Sequence, residues 1–187
     1  DQALAQALAL DPKNCAENLM IVDLLRNDLG RIARIGSVQV PALFQVQRFN
    51  AVLQMTSTVL AQARPDLELE ELLTALYPCG SITGAPKHRT MQIIRELEAS
   101  ARGLYTGALG WFEPLKSKQS LPDFCLSVPI RTLHVQAQQA CMGVGAGIVM
   151  DSVAQEEYAE CALKARFLTG LKPEFELFET MCATKQY

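Results

Sequence analysis

The sequence predicts an α+β fold in which antiparallel sheets are layered against helices. Three observations predict it. Two neighbouring runs, SVQVPALFQVQ (37–47) and FNAVLQMTSTVLAQ (49–62), carry the alternation and β-branched residues of paired strands. Helix-period runs stand on both sides of them, among them DLELEELLTALY (66–77) with its leucine stripe. With 49% hydrophobic and 20% charged residues, the 187-residue chain can bury a core and is not of disordered composition. That length suits one domain, or one and a fraction.

The elements follow in order. Gln2 to Leu10 forms a short alanine- and leucine-rich helix closed by Asp11-Pro12. A second helix runs from about Ala16 to Leu29 and stops at Gly30. Its apolar residues cover more than one face, which predicts burial between layers. Its charged members Glu17, Asp23, Arg26 and Asp28 must then be paired, solvated at the rim or put to use. Arg26 with Asp23 three residues before it is most simply an ion pair. Glu17 is a helix-dipole carboxylate or a ligand.

After the two strands and the 66–77 helix, with Leu67, Leu69, Leu72, Leu73 and Leu76 inward, comes PCGSITGAPKHR (78–89). Gly80 and Gly84 bracket Ser81 and Thr83, and Pro86-Lys87 opens a helix through TMQIIRELEAS. Either this is a loop with a capped helix, or the free N–H groups of the helix start receive an anion. LYTGALGWFE (104–113) predicts a strand whose Gly107 and Gly110 mark a bulge or a close backbone approach. PLKSKQSLPD (114–123) is a polar surface insert.

DFCLSVPIRTLHVQA (123–137) and QQACMGVGAGIVM (138–150) are expected to be long central strands. Arg131 would then lie on a core strand and need an anion, either a protein carboxylate or one from a ligand. Gly143, Gly145 and Gly147 leave one face of the second strand bare, for close packing or for a ligand; their spacing is not a dinucleotide fingerprint. Asp151 and Ser152 are expected to cap the last helix, 152–171. On it Glu157, Glu160 and Lys164 share a face, as a solvated charged stripe or, with Glu17, as carboxylates suited to Mg²⁺.

A formal charge of −3 argues against a nucleic-acid footprint. No run of eighteen apolar residues spans a membrane, and the first residues lack the basic start of a signal peptide. The six cysteines show neither CxxC spacing nor partner histidines at metal spacing, which fits a reducing, cytoplasmic setting.

Six segments in order, AENLMIVDLLRNDLGR (16–31), GSITGAPK (80–87), RGLYTG (102–107), IRT (130–132), GAGIV (145–149) and EEYAECALKA (156–165), resemble the chorismate-binding enzymes. That family comprises anthranilate synthase component I, aminodeoxychorismate synthase component I, and the isochorismate and salicylate synthases. The resemblance implies Mg²⁺ at Glu17, Glu157 and Glu160. It implies that Tyr105 and Arg131, with backbone at Gly145 and Gly147, hold the enolpyruvyl carboxylate. Thr83 and Gly84 would line the ring pocket, with Lys164 near a substrate carboxylate. It further implies that residues 1–171 are the C-terminal part of a chorismate-binding domain. LKPEFELFETM resembles a junction with a class IV aminotransferase-like lyase, which would make 172–187 a linker and the start of that module. This ending favours chorismate amination to 4-amino-4-deoxychorismate, on the route to 4-aminobenzoate and folate, with a glutamine amidotransferase supplying ammonia. Anthranilate synthesis and a non-catalytic structural role are the rival expectations. Gln54 stands where many members carry a histidine, and the family's PIKGT-type lysine segment does not occur in the chain.

Overall fold

The computed structural model describes residues 2–49, 52–115, 121–137, 139–150 and 152–169. Asp151 and the 172–187 segment lie outside the described residues, as does half of the polar insert, residues 116–120. The chain divides into two compact units, residues 1–129 and 130–187.

In the first unit α1 (Gln2–Leu10) runs to Asp11, and α2 (Pro12–Gly30) starts directly after it. Asp11 caps α2 by accepting the Asn14 N–H at 2.8 Å, with Pro12 in the first turn, where its missing donor costs nothing. The expected start near Ala16 was therefore too late by one turn. The antiparallel hairpin of β1 (Gln39–Phe49) and β2 (Val52–Leu60) follows, and both helices pack on it. Its register shifts between Gln39 and Gln45, a stretch that contains Pro41. There Phe44 adopts φ 55°, and its N–H turns to the Ser57 hydroxyl, which in turn donates to Asn18 Oδ1 of α2.

One expectation for α2 fails. It is not buried between layers: only Val22 and Asp28 are buried, while Leu19 is 51% and Met20 48% exposed. An apolar pattern that runs round a helix states what could be covered, and the hairpin covers only part of it. The Arg26–Asp23 pair does form, at 3.1 Å, and stays exposed.

The core lies around α3 (Leu69–Leu76). Leu67, fully buried, and Leu72 join Ile32 and Ala75, with Leu69, Leu73 and Leu76 packed against them. The expected leucine stripe is thus the inward face. The helix begins later than the Pro65-Asp66 signal because Glu71 receives the Glu68 N–H at 3.2 Å and so sets the first turn. The glycine stretch winds into a short turn, α4 (Gly80–Thr83), and leads into α5 (Lys87–Leu97). Gly84, at φ 128°, is the position between them that favours glycine.

β3 (Leu109–Phe112) pairs with β4 (Phe124–Ser127), and Phe112 stacks on Phe124 with ring centroids 5.3 Å apart. The expected close approach at Gly110 is real. A Cβ there would lie 1.9 Å from the Cys125 carbonyl oxygen. Gly110→Ala is expected to cost about 1–3 kcal/mol through forced backbone movement, read as a lower urea midpoint.

The second unit holds the antiparallel pair β5 (Leu133–Gln136) and β6 (Gln139–Met142), then α6 (Ala154–Thr169). The long central strands expected here do not form. β4 ends before Pro129, which has no N–H to offer a ladder, and Arg131 takes φ 52° on a bend. Residues 143–149 carry no strand pairing. Nor does Ser152 cap α6: its hydroxyl accepts the Val149 N–H at 3.0 Å, closing a turn ahead of the helix.

Candidate functional site

Within the first unit the glycine stretch and α5 border a cleft of about 450 Å³, lined by Ile82, Thr83, Met91, Ile94, Glu98 and Arg102 among others. Ile82, Met91 and Ile94 supply apolar wall, and Thr83, Glu98, Arg102 and Thr106 supply polar groups. Thr83 is half-buried, and its hydroxyl donates to the Cys79 carbonyl at 3.0 Å. Gly84 sits where a Cβ would come within 3.1 Å of the Thr90 methyl.

The RGLYTG segment forms the next wall. Arg102 binds both carboxylate oxygens of Glu98, at 2.7–3.1 Å, and reaches the Ile82 carbonyl at 3.0 Å. The half-buried Tyr105 has its ring centroid 6.0 Å from the Arg102 guanidinium. Thr106 follows at φ 62°, buried, with its N–H on the Pro129 carbonyl.

Beneath the loop, Lys87 donates to Asp28 at 2.7 Å and to the Ala75 carbonyl at 3.3 Å. Both side chains are largely buried, at 20% and 11% exposure, so this pair ties the ends of α2 and α3 to the start of α5. Sequence reasoning missed it. Asp28 and Lys87 lie 59 residues apart, and no local spacing links them. The Glu98–Arg102 pair has such a signal, the i, i+4 spacing.

The hydrogen bonds from Arg102 hold the Glu98 carboxyl below the usual carboxylate range, and Arg64 does the same for Glu71. Because both folded values are depressed, their stabilisation is present above the unfolded value near 4.5 and is lost as pH falls through the folded one. Thermal melts are expected to fall between pH 5 and pH 3, with a shallower fall in Glu98→Gln.

In the second unit Lys164 donates to Glu160 at 2.6 Å and to the Gly145 carbonyl at 2.8 Å, pinning the glycine run to α6. So Glu160 and Lys164 form the internal pair that a charged stripe predicts. Among the described residues nothing lies within 4 Å of where a Gly147 Cβ would stand. Arg131 is exposed and makes no ion pair among the described residues, so the buried core-strand arginine expected from the sequence is not there. Glu157 is half-buried on α6; Glu17 is exposed on α2 of the first unit. Among the described residues no three His, Cys, Asp or Glu side chains gather where a metal ion could be held. Nor is any described helix long and apolar enough to cross a membrane.

The sequence profile described as "chorismate binding enzyme" matches residues 1–170, nearly all of the described chain. The chain belongs to the chorismate-binding enzyme family. It is 43% identical over 165 residues to aminodeoxychorismate synthase component 1 of Bacillus subtilis, covering 88% of this chain and 34% of the relative. It is 42% identical over 168 residues to anthranilate synthase component 1 of Lactococcus lactis, covering 90% and 36%. The crystal structure of anthranilate synthase component I from Streptococcus pneumoniae matches with a TM-score of 0.80 and 43% identity, over 90% of this chain and 38% of that one. The chain therefore spans about a third of the length of these chorismate-binding relatives.

Proposed function

We propose that this chain supplies part of the chorismate site of an enzyme that replaces the C4 hydroxyl of chorismate with ammonia, giving 4-amino-4-deoxychorismate. The observation that carries the reading is the cleft wall of the first unit. Thr83, at one family-motif position, lines it, and Tyr105, at another, stands on a neighbouring segment joined to it through Arg102. Thr83 and Gly84 face the ring, and Tyr105 takes part in holding the enolpyruvyl carboxylate. In the second unit Arg131, which makes no ion pair among the described residues, offers a planar fork for a carboxylate. The backbone at Gly147 has room for a ligand atom on the side where no Cβ stands, and Gly145 would share that role on the strength of the family motif.

The carboxylates Glu157 and Glu160, one helical turn apart, are hard oxygen donors of the kind Mg²⁺ takes with waters and an anionic substrate; the family resemblance gives Glu17, in the first unit, the same ligand chemistry. The metal would neutralise the ring carboxylate, which otherwise meets glutamates of like charge. Lys164 now neutralises Glu160 and stands ready to meet a substrate carboxylate in the same role. Gln54 is exposed on β2, and its amide has no proton to give at neutral pH, so the departing hydroxyl is protonated from elsewhere. Ammonia would come from a glutamine amidotransferase partner, in the cytoplasm, and residues 172–187 would hold the linker to a fused lyase and the start of that module.

Anthranilate synthesis is the second reading, favoured by the near-equal 42% identity to an anthranilate synthase component. Calorimetric titration with chorismate, with and without Mg²⁺, tests the site: saturable, Mg²⁺-dependent heat is expected, and none from the folded chain would overturn it. Chromatography after incubation with chorismate, Mg²⁺ and ammonium tests the branch. 4-Amino-4-deoxychorismate is the expected product, and anthranilate would move the chain to the second reading.

A further inference from the structure

We infer that Arg102 is a positioning residue: it ties the Ile82 carbonyl of the glycine stretch to the Tyr105–Thr106 turn, so that the segments carrying Thr83 and Tyr105 are held in one preformed arrangement. This rests on reading Thr83 and Tyr105 as ligand-facing groups. Lining a cleft, Arg102 looks like a receptor for a substrate anion. Its hydrogen bonds serve the protein instead, taking up to four of its five N–H groups. Nε and Nη2 are spent on Glu98, at 2.7–3.1 Å, and Nη1 on the Ile82 carbonyl at 3.0 Å and the Thr106 hydroxyl at 3.4 Å. A guanidinium has five N–H donors in a fixed fork, and here all three nitrogens face protein oxygens.

What the fork holds is a segment that would not hold itself. Thr106 is β-branched, at φ 62° and 7% exposed, a backbone conformation that such residues avoid unless their surroundings over-determine it. Three bonds do so. Its N–H reaches the Pro129 carbonyl at 3.0 Å, its hydroxyl donates to the Tyr105 carbonyl at 2.6 Å, and the same oxygen faces Arg102. The turn sets Tyr105 against the guanidinium, 6.0 Å from centroid to carbon, a distance at which cation–π attraction acts. Glu98, at the end of α5, fixes the fork's plane. One side chain thereby joins α4, the end of α5 and the 103–107 turn.

Amide hydrogen exchange on the whole chain tests this, comparing the parent with Arg102→Lys, which keeps the charge but not the fork. Exchange at residues 80–84 and 104–107 is expected to rise at least about tenfold while the α3 amides stay within about twofold. An unchanged pattern would overturn the inference, and so would an equal rise across α3, which would make Arg102 a general stabiliser. Should Arg102→Lys fail to fold, Glu98→Gln, which keeps the bonds to Ile82 and Thr106, is expected to show a smaller rise at the same residues. Chorismate titration of the same proteins supplies the second arm. A parent that binds and an Arg102→Lys chain that binds equally well would sink the positioning role. A parent that does not bind, with the exchange pattern as expected, would remove the functional reading and leave the tie standing.

Discussion

Arg131→Ala is expected to weaken chorismate binding about a hundredfold, near 3 kcal/mol, the upper range for a hydrogen bond to a charged group. The melting temperature should stay at the parent value. The two halves of this expectation have separate causes. Arg131 is exposed and holds no ion pair among the described residues, so truncating it removes no internal bond. A bound carboxylate, by contrast, would lose a bidentate partner that lysine cannot reproduce. Arg131→Gly sharpens the test, because residue 131 has φ 52°. Glycine occupies that region without the steric cost of a Cβ, which offsets its larger entropy in the unfolded chain. The glycine variant should therefore be as stable as the parent, or more so, and equally unable to bind. A residue kept in an unfavourable conformation at no benefit to folding is one whose side chain is aimed at something else. Calorimetry and thermal melts on the two variants decide it; unchanged affinity in both would remove Arg131 from the site.

Much of the first unit was legible because its signals are local. The 2–10 helix, the 39–60 hairpin and the leucine stripe of α3 each follow from a period and a cap within a few residues. Gly110 was legible for the same reason: a glycine inside a strand has few explanations, and close approach to Cys125 is one of them. What failed depended on non-local facts. An apolar run such as 123–137 does not say that Pro129 and a left-handed Arg131 divide it, nor does 143–149 say that its glycines go unpaired. The all-round apolar pattern of α2 gave no account of how much of its surface the hairpin would cover. The candidate site was legible as a set of motif positions. Its ties were not, since Arg102 to Ile82 spans 20 residues and Lys87 to Asp28 spans 59.

The Lys87–Asp28 tie carries the largest expected effect on stability. Asp28→Ala would leave a mostly buried ammonium with only the Ala75 carbonyl for company, and Lys87→Ala would strand the carboxylate. Each is expected to cost about 3–5 kcal/mol, a large share of the roughly 5–15 kcal/mol that holds a domain folded. Asp28→Leu with Lys87→Met is expected to recover most of that loss, because an apolar pair of similar volume removes the desolvation penalty of both charges. Urea denaturation of the parent, Asp28→Leu, Lys87→Met and the double variant completes a double-mutant cycle, and additive losses would show that the two groups do not depend on each other. The double variant also separates two roles that the loop combines. Lys87 fastens its far end to the body of the unit, whereas Arg102 sets its wall against Tyr105. If that division is right, the double variant binds chorismate as the parent does while Arg102→Lys does not. Loss of binding in both would mean that the 80–87 stretch needs its charged anchor as well as its fork to hold Thr83 in place.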